Sequence, residues 1–364
     1  MKKTTLLGCV IGCLSVITQL FGQDPNYSQF YHVPSYYNPA YTGLYTGMRI
    51  NFAFRDQWPS LPNDFKSYFM SVDLGDRNLP GSGGIGLIMN QDNEGFGFIR
   101  NFTLGLNLSV RIPITSFMSA QVGIKAAFLQ KKINWDDLVF SDQLSEKYGN
   151  IYNSGFIHPD KNIINMPDFA AGGILQFASE SGSIGGVMGF AVDHIFQPNQ
   201  SFLATADAPL QRKWVFHGDV VISAEKGGGI NSTFDSGLKF NPGFIYQNQA
   251  GWNSIEAGIN LTKFNVYLGA WYRGSFGSRS SSAMVVMAGY RYFFTDEMSL
   301  KFAYSYDIQM AGALLGTGGA HEITLILGFD QLSLFGGTSS SSTSRGGAGG
   351  KSRRYGEPME CVIF

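Results

Sequence analysis

The chain is poor in three things, each of which would have assigned it a simple class. Only 15% of its residues are charged and its formal net charge is −1, so it lacks the clustered basic excess through which nucleic-acid binders neutralise phosphates. Nucleic acid is excluded as a partner on that ground. The three cysteines are Cys9, Cys13 and Cys361, and the first two fall in an N-terminal leader. Cys361 is then left alone, so no disulfide framework is expected in the mature chain. Beyond residue 22 there is no run of 18 apolar residues, and no helix is long and apolar enough to span a bilayer. If this chain enters a membrane, it does so as a closed β-barrel, the other architecture that satisfies every backbone polar group in lipid.

Glycine and aromatics are abundant instead. The chain has 46 Gly, 30 Phe and 17 Tyr, with 14% aromatics in all, a mixture suited to strands, tight turns and aromatic girdles. Residues 1–22 read as an export signal, with Lys2 and Lys3 ahead of an apolar stretch from Leu6 to Phe21 and Gly22 before the polar Gln23-Asp24. A lipidation site at Val10-Ile11-Gly12-Cys13 is the alternative. It would leave Leu14 to Phe21 as an apolar stretch just after the anchor, which weighs against it.

Period two dominates the rest of the chain. Phe102, Leu104, Leu106, Leu108, Val110 and Ile112 alternate with Asn101, Thr103, Gly105, Asn107, Ser109 and Arg111, which gives a strand one apolar and one polar face. Met298 to Gln309 and Ser254 to Leu261 show the same pattern. Extended along the chain, it predicts fourteen strands, at about 49–58, 65–74, 82–91, 97–112, 118–130, 168–178, 183–194, 213–225, 233–246, 251–262, 264–274, 282–293, 297–309 and 320–331. Strands of about ten residues joined by hairpins fit an all-β transmembrane antiparallel barrel, predicted over 48–335.

Short connections near 114–116, 180–182, 262–263 and 295–296 alternate with longer ones at about 131–167, 195–212, 274–281 and 309–319. Outer-membrane barrels keep short turns in the periplasm and long loops outside, so both termini are expected in the periplasm and the barrel in the cell outer membrane, in contact with its lipid. A soluble β-sandwich would also alternate. Against it stand the aromatics near strand ends and the charged Arg111, Lys125, Glu256, Lys301 and Asp307 in mid-strand.

Two flanks lack the alternation and are expected outside the barrel. Residues 23–47 form a periplasmic, aromatic and proline-containing segment, and Gly336 to Gly350 is almost wholly Gly, Ser and Thr, a flexible linker. Residues 336–364 thus read as linker and tail, with Lys351, Arg353 and Arg354 before the ending Pro358 to Phe364. The tail is either docked or disordered.

Several chemistries fail on spacing. Gly81-Ser82-Gly83-Gly84-Ile85-Gly86 fits a dinucleotide-binding spacing but leads into a strand, with no helix to receive a pyrophosphate. His217, Asp219 and Ser223 share one strand face, where neighbours two apart lie about 7 Å apart, too far for the bond that orients a general base. Asp73, Asp76 and Asn78, and Asp92, Asn93 and Glu94, offer oxygen ligands without calcium-loop spacing. They read as solvated turn acids. No catalytic, cofactor or metal residue is assigned, and the chain is expected not to be an enzyme.

The aromatic N-terminal segment carries the clearest signature. It reads Asp24-Pro25-Asn26-Tyr27-Ser28-Gln29-Phe30-Tyr31, then Tyr36-Tyr37-Asn38-Pro39-Ala40-Tyr41-Thr42-Gly43. Arg55-Asp56-Gln57-Trp58-Pro59 comes next at the end of the first strand, and Phe65-Lys66-Ser67-Tyr68 opens the second. These blocks, with Tyr304-Ser305-Tyr306-Asp307 and Gly319-Ala320-His321-Glu322-Ile323 near the last strands, resemble the PorP/SprF family of type IX secretion system membrane proteins of the Bacteroidetes. The resemblance implies an outer-membrane barrel that assists export or surface attachment of a secreted adhesin-like protein, as in gliding motility. It also implies partners: a secreted surface protein or its C-terminal sorting domain, and other components of the system, including periplasmic ones. In that family the tail often ends in a Cys-Pro-x-Phe type sequence. Here Cys361 and Phe364 match, but Val362 stands where the proline would be.

On physical grounds Tyr27, Phe30, Tyr31, Asn38, Pro39 and Tyr41 are suited to burial against a barrel mouth, as a plug, or against a partner. Arg55 and Gln57 share a strand face with Asn51 and are expected to line the lumen and bond the plug, with Trp58 beside them. Cys361 and Phe364 complete the candidate contact set. The alternative function is a passive outer-membrane channel for a hydrophobic or small solute, which a plugged barrel of fourteen strands would also suit.

Overall fold

The computed structural model describes residues 24–330 apart from 63–64, 76–82, 96–98, 160, 180–182, 204–205, 224–236, 276–277, 296 and 311–314, and gives the backbone alone for 278–281. The first strands are β1 (Gly47–Gln57), β2 (Phe65–Gly75), β3 (Gly84–Glu94), β4 (Ile99–Thr115) and β5 (Met118–Ile133). After a long connection that carries the small hairpin β6 (Leu144–Ser145) and β7 (Gly149–Asn150) come β8 (Ile163–Ala178), β9 (Ile184–Asp193) and β10 (Lys213–Ser223). The rest are β11 (Lys239–Gln249), β12 (Trp252–Lys263), β13 (Val266–Ser275), β14 (Ser278–Phe293), β15 (Met298–Gln309) and β16 (Ala320–Phe329). Apart from β6 and β7, these form one closed antiparallel barrel of fourteen strands, in which β16 returns to β1 with Met48 opposite Phe329 and Gln57 opposite Ala320.

The wall is turned inside out relative to a soluble barrel. On β4 the apolar set faces outward, with Leu104 44% and Val110 53% exposed, while Asn107, Ser109 and Arg111 are buried toward the lumen. Such a surface is stable only where hydrocarbon replaces water. Outward aromatics gather toward both rims, Phe169, Phe190 and Trp214 at one and Phe264, Tyr290, Tyr292 and Phe294 at the other, as interfacial girdles do. No described helix is long and apolar enough to cross a membrane.

All fourteen expected strands are present, and their ends moved for local reasons. β8 starts at Ile163 rather than near 168 because Pro167, which reads as a break, sits opposite Phe128 of β5 on a stretch that β9 does not reach; β9 pairing begins only at Ala171. With no neighbour on that side, proline's missing donor removes no ladder bond there. The loop expected at 274–281 is mostly strand, since β13 and β14 stay paired up to Ser275 and Ser278 across a register shift. The expected alternation of connection lengths therefore holds only in part. The upper rim, which bears the connections 134–162, 194–212 and 310–319, also carries the two-residue turn Ala250-Gly251.

A charge placed on the outward face tests this reading of the wall. Leu108→Arg, in the middle of β4, is expected to cost about 2–4 kcal/mol of unfolding free energy in lipid vesicles. An effect within about 0.5 kcal/mol in urea titration would show that this face is not in hydrocarbon.

Candidate functional site

The segment before β1 does not lie outside the barrel, as its lack of alternation suggested. It fills the lumen. Its described start, Asp24, reaches the upper rim, where its N–H donates to Gln249 Oε1 at 3.0 Å, while the Gly43 N–H donates to Asp73 Oδ2 at 3.1 Å near the lower rim, where β1 begins. The segment thus runs the length of the lumen before the chain turns into the wall. Its prolines limit it to single turns: Phe30–His32, Pro34–Tyr37 and Pro39–Tyr41. Irregular backbone at membrane depth is tolerable here because barrel polar groups surround it.

Apolar and polar contacts divide the work. Tyr27, Phe30, Val33 and Tyr37 pack in one cluster with Phe69, Ile88, Val215, Ile245 and Trp271 of the wall. Phe30 meets the Trp271 ring edge-on at 5.2 Å, and Tyr31 stacks on it at 5.4 Å. Asn38 caps the start of the last turn. Its Oδ1 accepts from Ala40 N–H at 2.9 Å, and its Nδ2 reaches the Gly173 and Phe190 carbonyls at 3.1 and 3.3 Å. Two wall glycines make room for it: a Cβ on Gly172 would lie 2.2 Å from Asn38 Oδ1, and one on Gly123 would lie 2.5 Å from Ala40 N. Pro39 is buried beside it, and the Tyr41 hydroxyl lies 3.2 Å from His217 Nδ1.

Beneath the upper rim a buried ion network grips the plug. Arg55 spans Asp307 (Nη2 to Oδ2, 2.8 Å) and Glu322 (Nη1 to Oε2, 3.1 Å). Arg273 joins Asp307 at 2.9 Å to Glu256 at 2.8 Å. Glu322 also accepts the backbone N–H of Ser28 (2.7 Å) and of Gln29 (2.9 Å), one on each oxygen. The Ser28 hydroxyl donates to Asp307 at 2.8 Å and accepts from both arginines. Charges this buried are stable only when paired and hydrogen-bonded throughout. The Gln57 side-chain oxygen accepts from Arg55 at 3.1 Å and fixes the guanidinium plane. His32 Nδ1 lies 2.9 Å from Gln29 Oε1 and from Thr324 Oγ1.

Asp24 makes a second latch. It lies 2.9 Å from His194 Nε2 and 3.6 Å from Lys213 Nζ, and Asp168 lies 3.0 Å from His194 Nδ1. Burial works against the Asp24 anion, but His194 and Lys213 outweigh it and hold the carboxyl far below its usual range. Burial likewise opposes the His194 cation, while Asp24 and Asp168 raise it to about 10.

Above the plug the upper mouth opens into a cavity of about 430 Å³, floored by Asp24, Pro25, Asn26 and Tyr36. Trp58, at the end of β1, lines it with a left-handed φ of 62° and packs edge-on against Phe65 at 5.2 Å. Asp92 and Glu94 are not solvated turn acids: both belong to β3 and line this cavity, and Asp92 is buried. Asp73 is likewise buried in the wall. Pairing carries β2 and β3 to the rim, which puts these acids on the lumen face. Among the described residues His217 meets the plug residues Asn38 and Tyr41 rather than an acid. No group of three or more metal-ligating side chains occurs among the described residues. Cys361, Phe364 and the 336–364 tail lie outside the described residues.

Sequence reasoning missed Ser28, Gln29, Asp307 and Glu322 as gripping residues. The available signal was Arg, Glu and Asp on the polar face of mid-strand positions, since a charge there requires a partner.

The grip and the latch can each be tested. Arg55→Met leaves Glu322 without its cation and is expected to cost about 3–5 kcal/mol in urea unfolding and to expose 24–43 to protease, with Arg55→Lys falling between; wild-type protection in both would remove the grip. The rim latch is pH-dependent. The raised His194 stabilises it fully below about 6.5, and that part is lost as pH climbs through about 10. The lowered Asp24 contributes above about 3.8 and fades below it. Amide exchange at Asn26 should therefore be slowest between about pH 4 and 6.5 after correction for intrinsic rates, with His194→Gln removing the alkaline limb.

A family model described as type IX secretion system membrane protein PorP/SprF matches residues 19–327. A comparison with curated proteins finds no match. Among solved structures, the Ralstonia pickettii toluene transporter TbuX is similar at 10% identity, over 80% of this chain and 90% of that one, with a TM-score of 0.44. The CymD monoaromatic hydrocarbon channel is similar at 12% identity over 84% and 93%, with a TM-score of 0.41. A Pseudomonas aeruginosa FadL homologue is similar at 11% over 78% and 89%, with a TM-score of 0.39. With the match extending from the plug to the last strand, the chain belongs to the PorP/SprF family of type IX secretion system membrane proteins.

Proposed function

We infer that this barrel is a non-enzymatic outer-membrane component of type IX secretion that assists the export or surface attachment of a secreted adhesin-like protein, as in the gliding machinery of the Bacteroidetes. The observation that carries the reading is the plug. Family membership assigns the system, and a lumen packed from Asp24 to Gly43 with buried side chains favours a docking platform over a conduit. The same packing tells against the passive solute channel, which would need the gripped segment to leave.

In this reading residues 1–22 are an export signal and the upper rim faces the cell exterior, so the plug starts at the outer end of the lumen with Asp24 and the expectation of both termini in the periplasm is kept only for the C-terminal side. The secreted protein, through its C-terminal sorting domain, meets the upper mouth. The connections there expose Tyr148, Ile157 and Phe196, with Ile157 91% exposed, a surface suited to a protein partner. Periplasmic components of the system meet the lower rim, from which the tail ending at Cys361 and Phe364 departs after β16.

Deleting the gene tests the assignment. Loss of one or a few large surface proteins with unchanged uptake of small solutes is expected; intact surface proteins with impaired uptake would favour the channel instead. An epitope placed before Asp24 is expected to label on intact cells, whereas one after Phe364 labels only in permeabilised ones. The reverse pattern would invert the orientation.

A further inference from the structure

We propose that the upper cavity is a receptor for lysine or arginine side chains of a partner peptide, with Asp92 and Glu94 as the counter-charges that receive them. The proposal begins with the charges lining the cavity. Of its cations, Arg55 and Arg273 are engaged in the ion network, Lys125 with Asp193, Lys213 with Asp24 and His194 with Asp24 and Asp168, while Lys131 on β5 donates to Gln200 Oε1 at 3.1 Å. Two of its acids have no such partner. Asp92 accepts from the Ser67 hydroxyl and Glu94 from Asn101 Nδ2 at 2.9 Å, and among the described residues neither makes an ion pair.

A second, independent observation lies deeper. Asp168 is 1% exposed and lines the same cavity; one of its oxygens faces His194, and the other, Oδ1, has no hydrogen-bond partner. Buried carboxylate oxygens without donors are costly, and an ammonium or guanidinium group supplies donors and charge together. The cavity therefore offers two acceptor positions, one at the β3 wall and one toward Asp168.

The surroundings fit the rest of a basic side chain. Glu94 is the cross-strand partner of Phe65, whose ring meets Trp58 edge-on at 5.2 Å. Such faces take the methylene stem and the cation that ends it. A volume of about 430 Å³ is within the range of ligand pockets and exceeds a single amine, which favours a peptide carrying more than one basic residue over a free polyamine. That the peptide belongs to a secreted protein rests on the proposed role in secretion; the charge complementarity does not.

Calorimetry on the intact protein in detergent micelles tests this. The probe is an end-capped pentapeptide with two lysines, compared with the same peptide carrying norleucine and with spermidine. Binding of the lysine peptide at least tenfold tighter than the norleucine peptide is expected, with a further tenfold loss in the Asp92→Asn, Glu94→Gln double variant. Glu94→Gln alone, at a half-buried site, should lose less in the same direction and covers the case in which the double variant misfolds. Equal binding of the two peptides, no binding of either, or unchanged binding by the variants overturns the site. Spermidine binding more tightly than the lysine peptide overturns the peptide as its source. In cells, a double variant that has lost peptide binding in micelles but displays surface proteins normally would sink the cavity's part in secretion and leave the receptor standing.

Discussion

The structure depends on how two arginines and three carboxylates are partnered inside a membrane-embedded wall. Arg55 and Arg273 alone cannot balance Asp307, Glu322 and Glu256. Backbone N–H groups and a hydroxyl from the plug, at Ser28 and Gln29, supply further donors to Glu322 and Asp307. Plug and wall therefore stabilise one another. Without the segment, Glu322 and Asp307 would lose donors in a lumen that has no substitute for them except water. Without those acids, the start of the segment would have buried N–H groups and nothing to bond.

This mutual dependence explains why polar and apolar contacts alternate along the plug. The ion network holds Ser28 and Gln29, the aromatic cluster holds Tyr27, Phe30 and Tyr37, and the amide of Asn38 fixes the last turn against two glycines of the wall. Each mode fixes something different. Ring packing supplies most of the burial and tolerates small displacements, whereas a charge-assisted bond lost by an ångström is lost altogether. The segment is thus held by both modes along its length, with its ion-network contacts in the upper half.

The wall was legible in the sequence because a period of two is a local property. Leu104 to Ile112 announces a face whichever partner it meets, and all fourteen strands emerge from the same reading. Departures occurred where local chemistry and pairing disagree, as at Pro167 and around 274–281, where a neighbour's presence or absence decides the outcome. The plug was legible only in part. Its composition marks Asp24 to Gly43 as unlike the strands, and alternation turns Arg55 inward. Nothing local says that Ser28 meets Glu322, a residue 294 positions away. Asp92 and Glu94 were misread for the same reason: a D-N-E run looks like a turn until the pairing of β3 carries it to the rim.

One detail of register links the plug to barrel closure. Arg55 and Glu322 are direct cross-strand partners on the seam where the first strand meets the last, and Ser28 and Gln29 bond there. A slip of two residues along that seam would preserve inside and outside, so hydrophobicity could not detect it. It would, however, move Glu322 by roughly 7 Å and break its bonds to Arg55, Ser28 and Gln29 together. The plug thereby acts as a gauge of closure: only one of the registers that alternation permits brings Glu322 to Arg55, Ser28 and Gln29 together.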